Sequence, residues 1–268
     1  LRLDDTLFTG AQWNDGWEAG NEQYVAKIQP IMVDISSTQN QGYSADPAME
    51  AAQAFARHLS DAGITVDGDA SRAAASSGAR ELASVSSAPL SDILALSLKT
   101  SDNTMTEVEG RLVAVQAKET ADFAGASKAV AAQLRKDGFD TSGLTLLDSS
   151  GLAKGNKVPA KLLTQILARS AGDKGGSAGR TLIADLPVGA LDGTLGNRLH
   201  DTAAAGTVRA KTGSLEQTSS LAGVVTTADG RLLAFSILTN DFPANGSTAA
   251  AAAIDNHFVA PLAACGCS

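Results

Sequence analysis

The feature that most constrains the fold is a switch of hydrophobic period between residues 137 and 207. Before it, apolar residues recur every three to four positions, the spacing of a helix face. Pro89 opens one helix, with Leu90, Ile93, Leu94 and residues 96–98 as its apolar positions. A second runs from Asn103 to about residue 119 with Met105, Val108, Leu112 and Val115 on one side, and a third covers 123–137 and is closed by Gly138. After the switch, residues 207–211, 221–227 and 232–239 are β-rich runs, with Asp229-Gly230 as the turn between the last two. An alanine-rich helix over 247–262 follows. Helices, then antiparallel strands, then a helix to cover them specify an α+β domain over residues 81–268.

Residues 1–80 read as a separate unit. Leu1-Arg2-Leu3 begins a strand, residues 10–20 form a loop with Trp13 and Trp17, and 24–35 holds a second strand around Ile31-Met32-Val33. Pro47 opens a helix with Asp46 as its N-cap. Its apolar face runs through Met49, Ala52, Phe55, Ala56 and Leu59, and Gly63 ends it. Residues 67–80 carry no large apolar side chain, which places the boundary there. A short strand over 81–85 begins the second unit.

Composition removes several classes of function. The 268 residues suffice to bury one large core or two moderate ones. A net charge of −8 with no stripe of Lys and Arg argues against a nucleic-acid surface. No stretch approaches the roughly 20 apolar residues of a membrane span. His58, His200 and His257 lack metal-ligand spacing, and the terminal Cys265-Gly266-Cys267 offers too few ligands, so no metal or other cofactor is expected. The two cysteines are either free thiols or a short disulfide of an oxidising compartment. Position 1 is Leu and no secretory leader is recognisable, so the sequence reads as the interior of a longer chain.

Two triads carry the chemistry. Ser101-Asp102-Asn103 falls in the short connection between two of the helices, and Lys211-Thr212-Gly213 lies at the end of the first β-rich run. Singly, such tripeptides mean little: a lone Lys-Thr-Gly is usually a solvated lysine with a turn glycine, and Ser101 reads as an N-cap for the helix at Asn103. Their order, separation and setting give them weight. Leu98-Lys99-Thr100 leads into the first triad, which continues into Glu107 and Gly110-Arg111-Leu112. Leu147-Asp148-Ser149-Ser150-Gly151-Leu152 continues through Asn156 and Pro159 to Leu162-Leu163. Leu186-Pro187-Val188 precedes Asp192-Gly193-Thr194-Leu195 and Arg198, and Ala210 and Ser214 flank the second triad. Together these segments resemble the class C low-molecular-mass penicillin-binding proteins, the D-alanyl-D-alanine carboxypeptidase/endopeptidase family, strongly over residues 81–268. Residues 1–10 resemble the accessory domain that this subgroup inserts between its first and second motifs, so 1–80 is expected to be part of that insertion.

The resemblance implies a penicillin-binding/transpeptidase-like domain that performs acyl transfer without a cofactor. A serine attacks the amide between two D-alanines, and water releases the acyl-enzyme. On one wall, the Ser101 hydroxyl would pass a proton towards the leaving amine and Asn103 would donate to the substrate backbone, while Asp102 points away. On the other, Lys211 would supply positive potential beside Ser101 and the substrate carboxylate, and Thr212 a hydroxyl to that carboxylate. Gly213 would let an extended substrate lie along the strand edge, and the Ser214 N–H would be one oxyanion donor. Asp148-Ser149-Ser150-Gly151 reads as a loop that shapes the site, Asp192-Gly193 as a turn, Arg198 as an ion-pair partner and His200 as a surface residue.

The family's first motif is Ser-x-x-Lys, which carries the nucleophile. No serine of this chain has a lysine three places on, and the expectation is that the motif lies upstream of Leu1. By resemblance the partners are peptidoglycan stem peptides and β-lactams, met outside the cytoplasmic membrane. One other reading is a non-catalytic peptidoglycan-binding remnant. A serine β-lactamase or esterase of the same fold is disfavoured by the lack of Glu-x-x-x-Asn between the triads and by the accessory region. Residues 1–268 by themselves should take up no acyl group from penicillin, as judged by intact mass. A stoichiometric adduct on any serine here would place the nucleophile inside the chain.

Overall fold

In the computed structural model, which describes residues 1–33 and 42–266, the chain forms two compact units that interleave in sequence. The first comprises Leu1–Ser86, Asn103–Lys136 and Thr145–Lys157; the second comprises Ser87–Asp102, Asp137–Leu144 and Val158–Ser268. Residues 103–136 and 145–157, grouped by sequence with 81–268, thus pack with the N-terminal segment.

In the first unit, β1 (Arg2–Leu3) pairs in parallel with β2 (Ser71–Arg72). Helix α1 (Pro47–Asp61) starts as the sequence dictates: the Asp46 carboxylate accepts from the Met49 N–H, and Pro47 occupies the first turn. The chain leaves it through Gly63, whose φ of 80° suits glycine. Its buried face is made of small residues, Ala48 and Ala52 against Leu3, whereas Phe55 is exposed, contrary to expectation. Residues 24–33 form no strand, and residues 34 and 35 of that expected strand lie outside the described residues. Their backbone partners come from elsewhere: the Ile28 N–H donates to the Gln12 carbonyl and the Ala26 N–H to the Thr104 hydroxyl. Val25 and Ile28 nevertheless enter a core with Trp17, Phe123, Leu152 and Ala153. Residues 81–85 form no strand either. All five are exposed.

Helix α3 (Asn103–Ala117) packs on α4 (Phe123–Lys136) and inverts the expected pattern. It buries Thr104, Glu107, Gly110, Arg111 and Ala114, and leaves Leu112, Val113 and Val115 exposed. Buried charge is tolerated only when hydrogen-bonded, and here the backbone supplies the partners. The Glu107 carboxylate accepts from the N–H groups of Ser149 (3.0 and 3.1 Å) and Ser150 (2.7 Å). The Arg111 guanidinium donates to the carbonyls of Thr9, Ala11 and Ala121 and lies 4.4 Å from the Phe123 ring centroid. Gly110 makes room, since a Cβ there would stand 2.0 Å from the Ser149 hydroxyl.

In the second unit, β3 (Val208–Leu215), β4 (Thr218–Thr226) and β5 (Leu232–Asn240) form an antiparallel sheet in the order β3-β4-β5. Residues 227–231 connect the last two strands, with Gly230 at φ 81°. Helix α2 (Leu90–Thr100) begins directly after Pro89, but Ser97 is its only buried residue. Helices α5 (Ala160–Ala171) and α6 (Gly176–Asp185) have no counterpart in the sequence reading, and α5 packs on β4 and β5. The expected helix over 247–262 is broken into α7 (Ser247–Ile254), a π-helical turn at Asp255–Val259, and α8 (Ala260–Ala264). Pro261 removes a backbone donor just beyond that turn, and Asp255 is held by Arg198 through contacts of 2.7 and 2.9 Å. The core joins Leu195, Val208, Ala210, Leu221, Val225, Phe235, Ile254 and Val259.

Burial raises the Glu107 carboxyl to about 7, and the Asp148 charge adds to this, against the hydrogen bonds from Ser149 and Ser150 that lower it. Because the folded value lies above the unfolded 4.5, the contribution of Glu107 to stability is full below pH 4.5 and is lost as pH rises through about 7. Glu107→Gln should flatten that step in urea melts. Glu107→Ala leaves two part-buried N–H groups, of Ser149 and Ser150, without their acceptor and should cost about 2 kcal/mol. Leu112→Ala, on the exposed face, should cost under about 1 kcal/mol.

Candidate active site

Ser101 closes α2 rather than opening α3. It adopts a left-handed conformation (φ 56°, ψ 44°) as the C-cap, with its N–H on the Ser97 carbonyl. A non-glycine residue there costs about 1–2 kcal/mol, so the surroundings must hold it. Two residues earlier, the Lys99 ammonium donates to both oxygens of Asp192 (2.8 and 2.7 Å) and to the Leu186 carbonyl (2.7 Å). Asp192 in turn accepts from the Val188 N–H (2.7 Å). Gly193 follows at φ 55°, where a Cβ would lie 2.7 Å from the Lys99 carbonyl oxygen, so glycine alone permits this approach.

The second triad lies within β3 rather than at its end, since the strand continues through Leu215. Lys211 Nζ donates to Ser101 Oγ at 2.5 Å and to the Thr212 carbonyl at 2.9 Å. Among the described residues no carboxylate pairs with it. Burial lowers its pKa from 10.5 to about 8. The Thr212 and Thr194 hydroxyl oxygens are 2.9 Å apart. Gly213 faces Ser220 on β4, and a Cβ at 213 would stand 2.3 Å from the Ser220 hydroxyl, which gives this glycine a structural reason besides the expected one. Ser214 is exposed.

The outer edge of β3 is half covered. The Gly189 N–H donates to the Val208 carbonyl and the Ala210 N–H to the Pro187 carbonyl, so residues 187–189 pair with the start of the strand. Strand geometry repeats every two residues, so the N–H groups of Thr212 and Ser214 point to the same side as that of Ala210. Beyond Ala210 no strand pairs with that edge among the described residues.

Asn103 opens α3 in the first unit, where its amide donates to the Tyr24 carbonyl (3.0 Å). In the same unit Asp148 is buried and accepts from Trp17 Nε1, Asn156 Nδ2 and the N–H groups of Gly151 and Ala153, all within 2.7–2.9 Å. The 148–151 loop therefore owes its shape to two carboxylates, its own Asp148 and Glu107. Ser101 and Lys211 are brought together as the sequence suggests. The roles of Lys99, Glu107, Asp148 and Thr194 were not legible, although each lies in a segment that carries the family resemblance. Arg198 is an ion-pair partner and His200 is exposed, as expected. Cys265 is disulfide-bonded, and Cys267 lies outside the described residues. Among the described residues no helix is long and apolar enough to cross a membrane.

An antiparallel sheet with helices packed on it, whose edge strand sets a half-buried lysine against a serine turn, has the architecture of the penicillin-binding proteins. Residues 35–260 match the D-Ala-D-Ala carboxypeptidase 3 (S13) family, and the chain belongs to that family. It is 36% identical over 277 residues to carboxypeptidase DacB of Mycolicibacterium smegmatis, matching 100% of this chain and 58% of that protein. It is 36% identical over 205 residues to a D-alanyl-D-alanine carboxypeptidase of Actinomadura sp., covering 73% of this chain and 37% of that one. Penicillin binding protein 4 of Haemophilus influenzae shares the fold, with a TM-score of 0.75 at 23% identity over 91% of this chain and 69% of the other. The same protein complexed with a β-lactam gives 0.67 at 30% identity, over 75% and 46%. The chain thus spans little more than half the length of the curated relatives it matches along most of its own, 58% and 55%.

Lys211 should lose its proton with a midpoint near pH 8, well before the 10.5 of an unperturbed lysine. Labelling with an amine-acylating reagent across pH 7–11, read by peptide mass, measures this. A midpoint shared with the exposed lysines would contradict the buried placement.

Proposed function

We propose that this chain supplies two walls of the site of a serine-type D-alanyl-D-alanine carboxypeptidase, with endopeptidase action on the same bond type. The observation that carries the reading is the 2.5 Å contact between Lys211 Nζ and Ser101 Oγ, made by residues 110 positions apart at the open edge of an edge strand. The substrate class is the D-alanine-terminated stem peptide of peptidoglycan, met outside the cytoplasmic membrane, and β-lactams occupy the same place. By the family resemblance the nucleophile and its lysine come from a Ser-x-x-Lys motif, which no serine of this chain provides, and residues 1–80 belong to the accessory insertion.

In this reading the peptide adds as a strand along β3 beyond Ala210, where the N–H groups of Thr212 and Ser214 face outwards. Its terminal carboxylate meets the Lys211 charge and the Thr212 hydroxyl. Gly213 leaves the strand surface bare, and the Ser214 N–H donates to the developing oxyanion. Ser101 Oγ, polarised by Lys211, hands a proton to the leaving D-alanine amine as the acyl-enzyme forms, and water then releases the acyl group. Asn103 donates to the substrate backbone. Since Lys211 is charged below about pH 8 and neutral above it, carboxylate binding weakens as pH rises through that value.

In the full-length protein, Lys211→Ala should slow acylation by labelled penicillin about 10²–10³-fold with little change in Tm. Asn103→Ala should lower peptide turnover while losing about 1 kcal/mol or less of stability. Near-normal acylation of the Lys211 variant would overturn the assignment.

A further inference from the structure

The turn 192–195 is fixed at every residue. The Asp192 carboxylate is bound by Lys99 Nζ and the Val188 N–H, Gly193 abuts the Lys99 carbonyl, and Leu195 is fully buried in the core. Thr194, between these anchors, has little freedom to move. Its side chain is partly buried, and its Oγ1 lies 2.9 Å from Thr212 Oγ1 on β3. One short turn therefore touches α2 two residues before Ser101 and β3 one residue after Lys211.

We propose that Thr194 is a positioning residue that makes the Thr212 hydroxyl a donor towards an anion, and so selects substrates with a free terminal carboxylate. The proposal rests on the carboxypeptidase reading above. A hydroxyl has one proton and two lone pairs, so of two hydroxyls in contact only one donates to the other. When Thr194 donates to Thr212 Oγ1, the Thr212 proton is free to point at the open edge of β3 and meet a carboxylate. With the opposite orientation Thr212 would present only lone pairs there and repel the anion. Arrival of a carboxylate selects the first arrangement, and the two bonds polarise each other. No bond of the substrate is made or broken by Thr194. It acts through Thr212 alone, so its effect falls on carboxylate binding and not on the acyl-transfer step.

The test uses the full-length protein and a peptide ending in D-Ala-D-Ala, with KM and kcat read separately. Thr194→Val keeps shape and removes the hydroxyl. It should raise KM about three- to tenfold, the worth of one neutral hydrogen bond, with kcat and Tm nearly unchanged. Thr194→Ser should restore KM, and Thr194→Val combined with Thr212→Val should be no worse than Thr212→Val alone. Three results would overturn the proposal: an unchanged KM for Thr194→Val while Thr212→Val is impaired, a loss confined to kcat, or a lowered Tm that Thr194→Ser does not repair. If Thr194→Val fails to fold, the KM of Thr194→Ala decides in the same way. Unchanged kinetics in both Thr194→Val and Thr212→Val, with no acylation of the parent by labelled penicillin, would instead remove the carboxypeptidase reading itself.

Discussion

One ammonium group holds the candidate site in register. Lys99 reaches from the last turn of α2 to Asp192 and the Leu186 carbonyl, and Asp192 also fixes the Val188 N–H. The stretch 187–189 is in turn bonded to the outer edge of β3. The turn at Ser101 and the strand carrying Lys211 are therefore fastened to the same few residues. An ion pair as exposed as this one stabilises a fold only slightly, since Asp192 keeps 42% of its side-chain surface. Its value lies in geometry: it fastens α2, two residues before Ser101, to the stretch that is bonded to the strand carrying Lys211.

The first unit applies the same logic with buried charge. Glu107 and Asp148 together bind six backbone or side-chain donors of the 148–156 region, while Arg111 gathers three carbonyls from residues 9, 11 and 121. A loop keeps its shape when its backbone groups are bound, and charged side chains can satisfy several at once. Burying them is costly, which is why the Glu107 carboxyl is pushed to about 7 and why it tolerates no loss of a partner. Lys211 uses burial differently, since its lowered pKa of about 8 leaves a charge that is easily influenced by what binds beside it.

Several misreadings share one cause. On α3 the expected apolar face of Leu112 and Val115 is exposed while Glu107 and Arg111 are buried, because the partners that make burial of charge tolerable lie far away in sequence. The strands expected near residues 31–33 and 81–85 pair with no neighbour among the described residues, and a strand exists only as part of a pair. The helix at 247–264 is interrupted where Pro261 removes a donor and Arg198 holds Asp255, a contact across 57 residues.

By itself the sequence determined what local chemistry dictates. It set the α1 start at Asp46-Pro47, the α2 start after Pro89, the three β-rich runs with their turn at Gly230, and the two triads that resemble the active-site motifs of penicillin-recognising enzymes. These depend on dihedral preferences, capping groups and period, all of which act within a few residues. Only the tertiary structure decided that Ser101 is a left-handed C-cap under Lys211, that Thr194 sits against Thr212, and that Glu107 faces inwards. Each of those follows from contacts between segments 18 to 110 residues apart. Their energy comes from desolvation and from matching donors to acceptors, which no local pattern encodes.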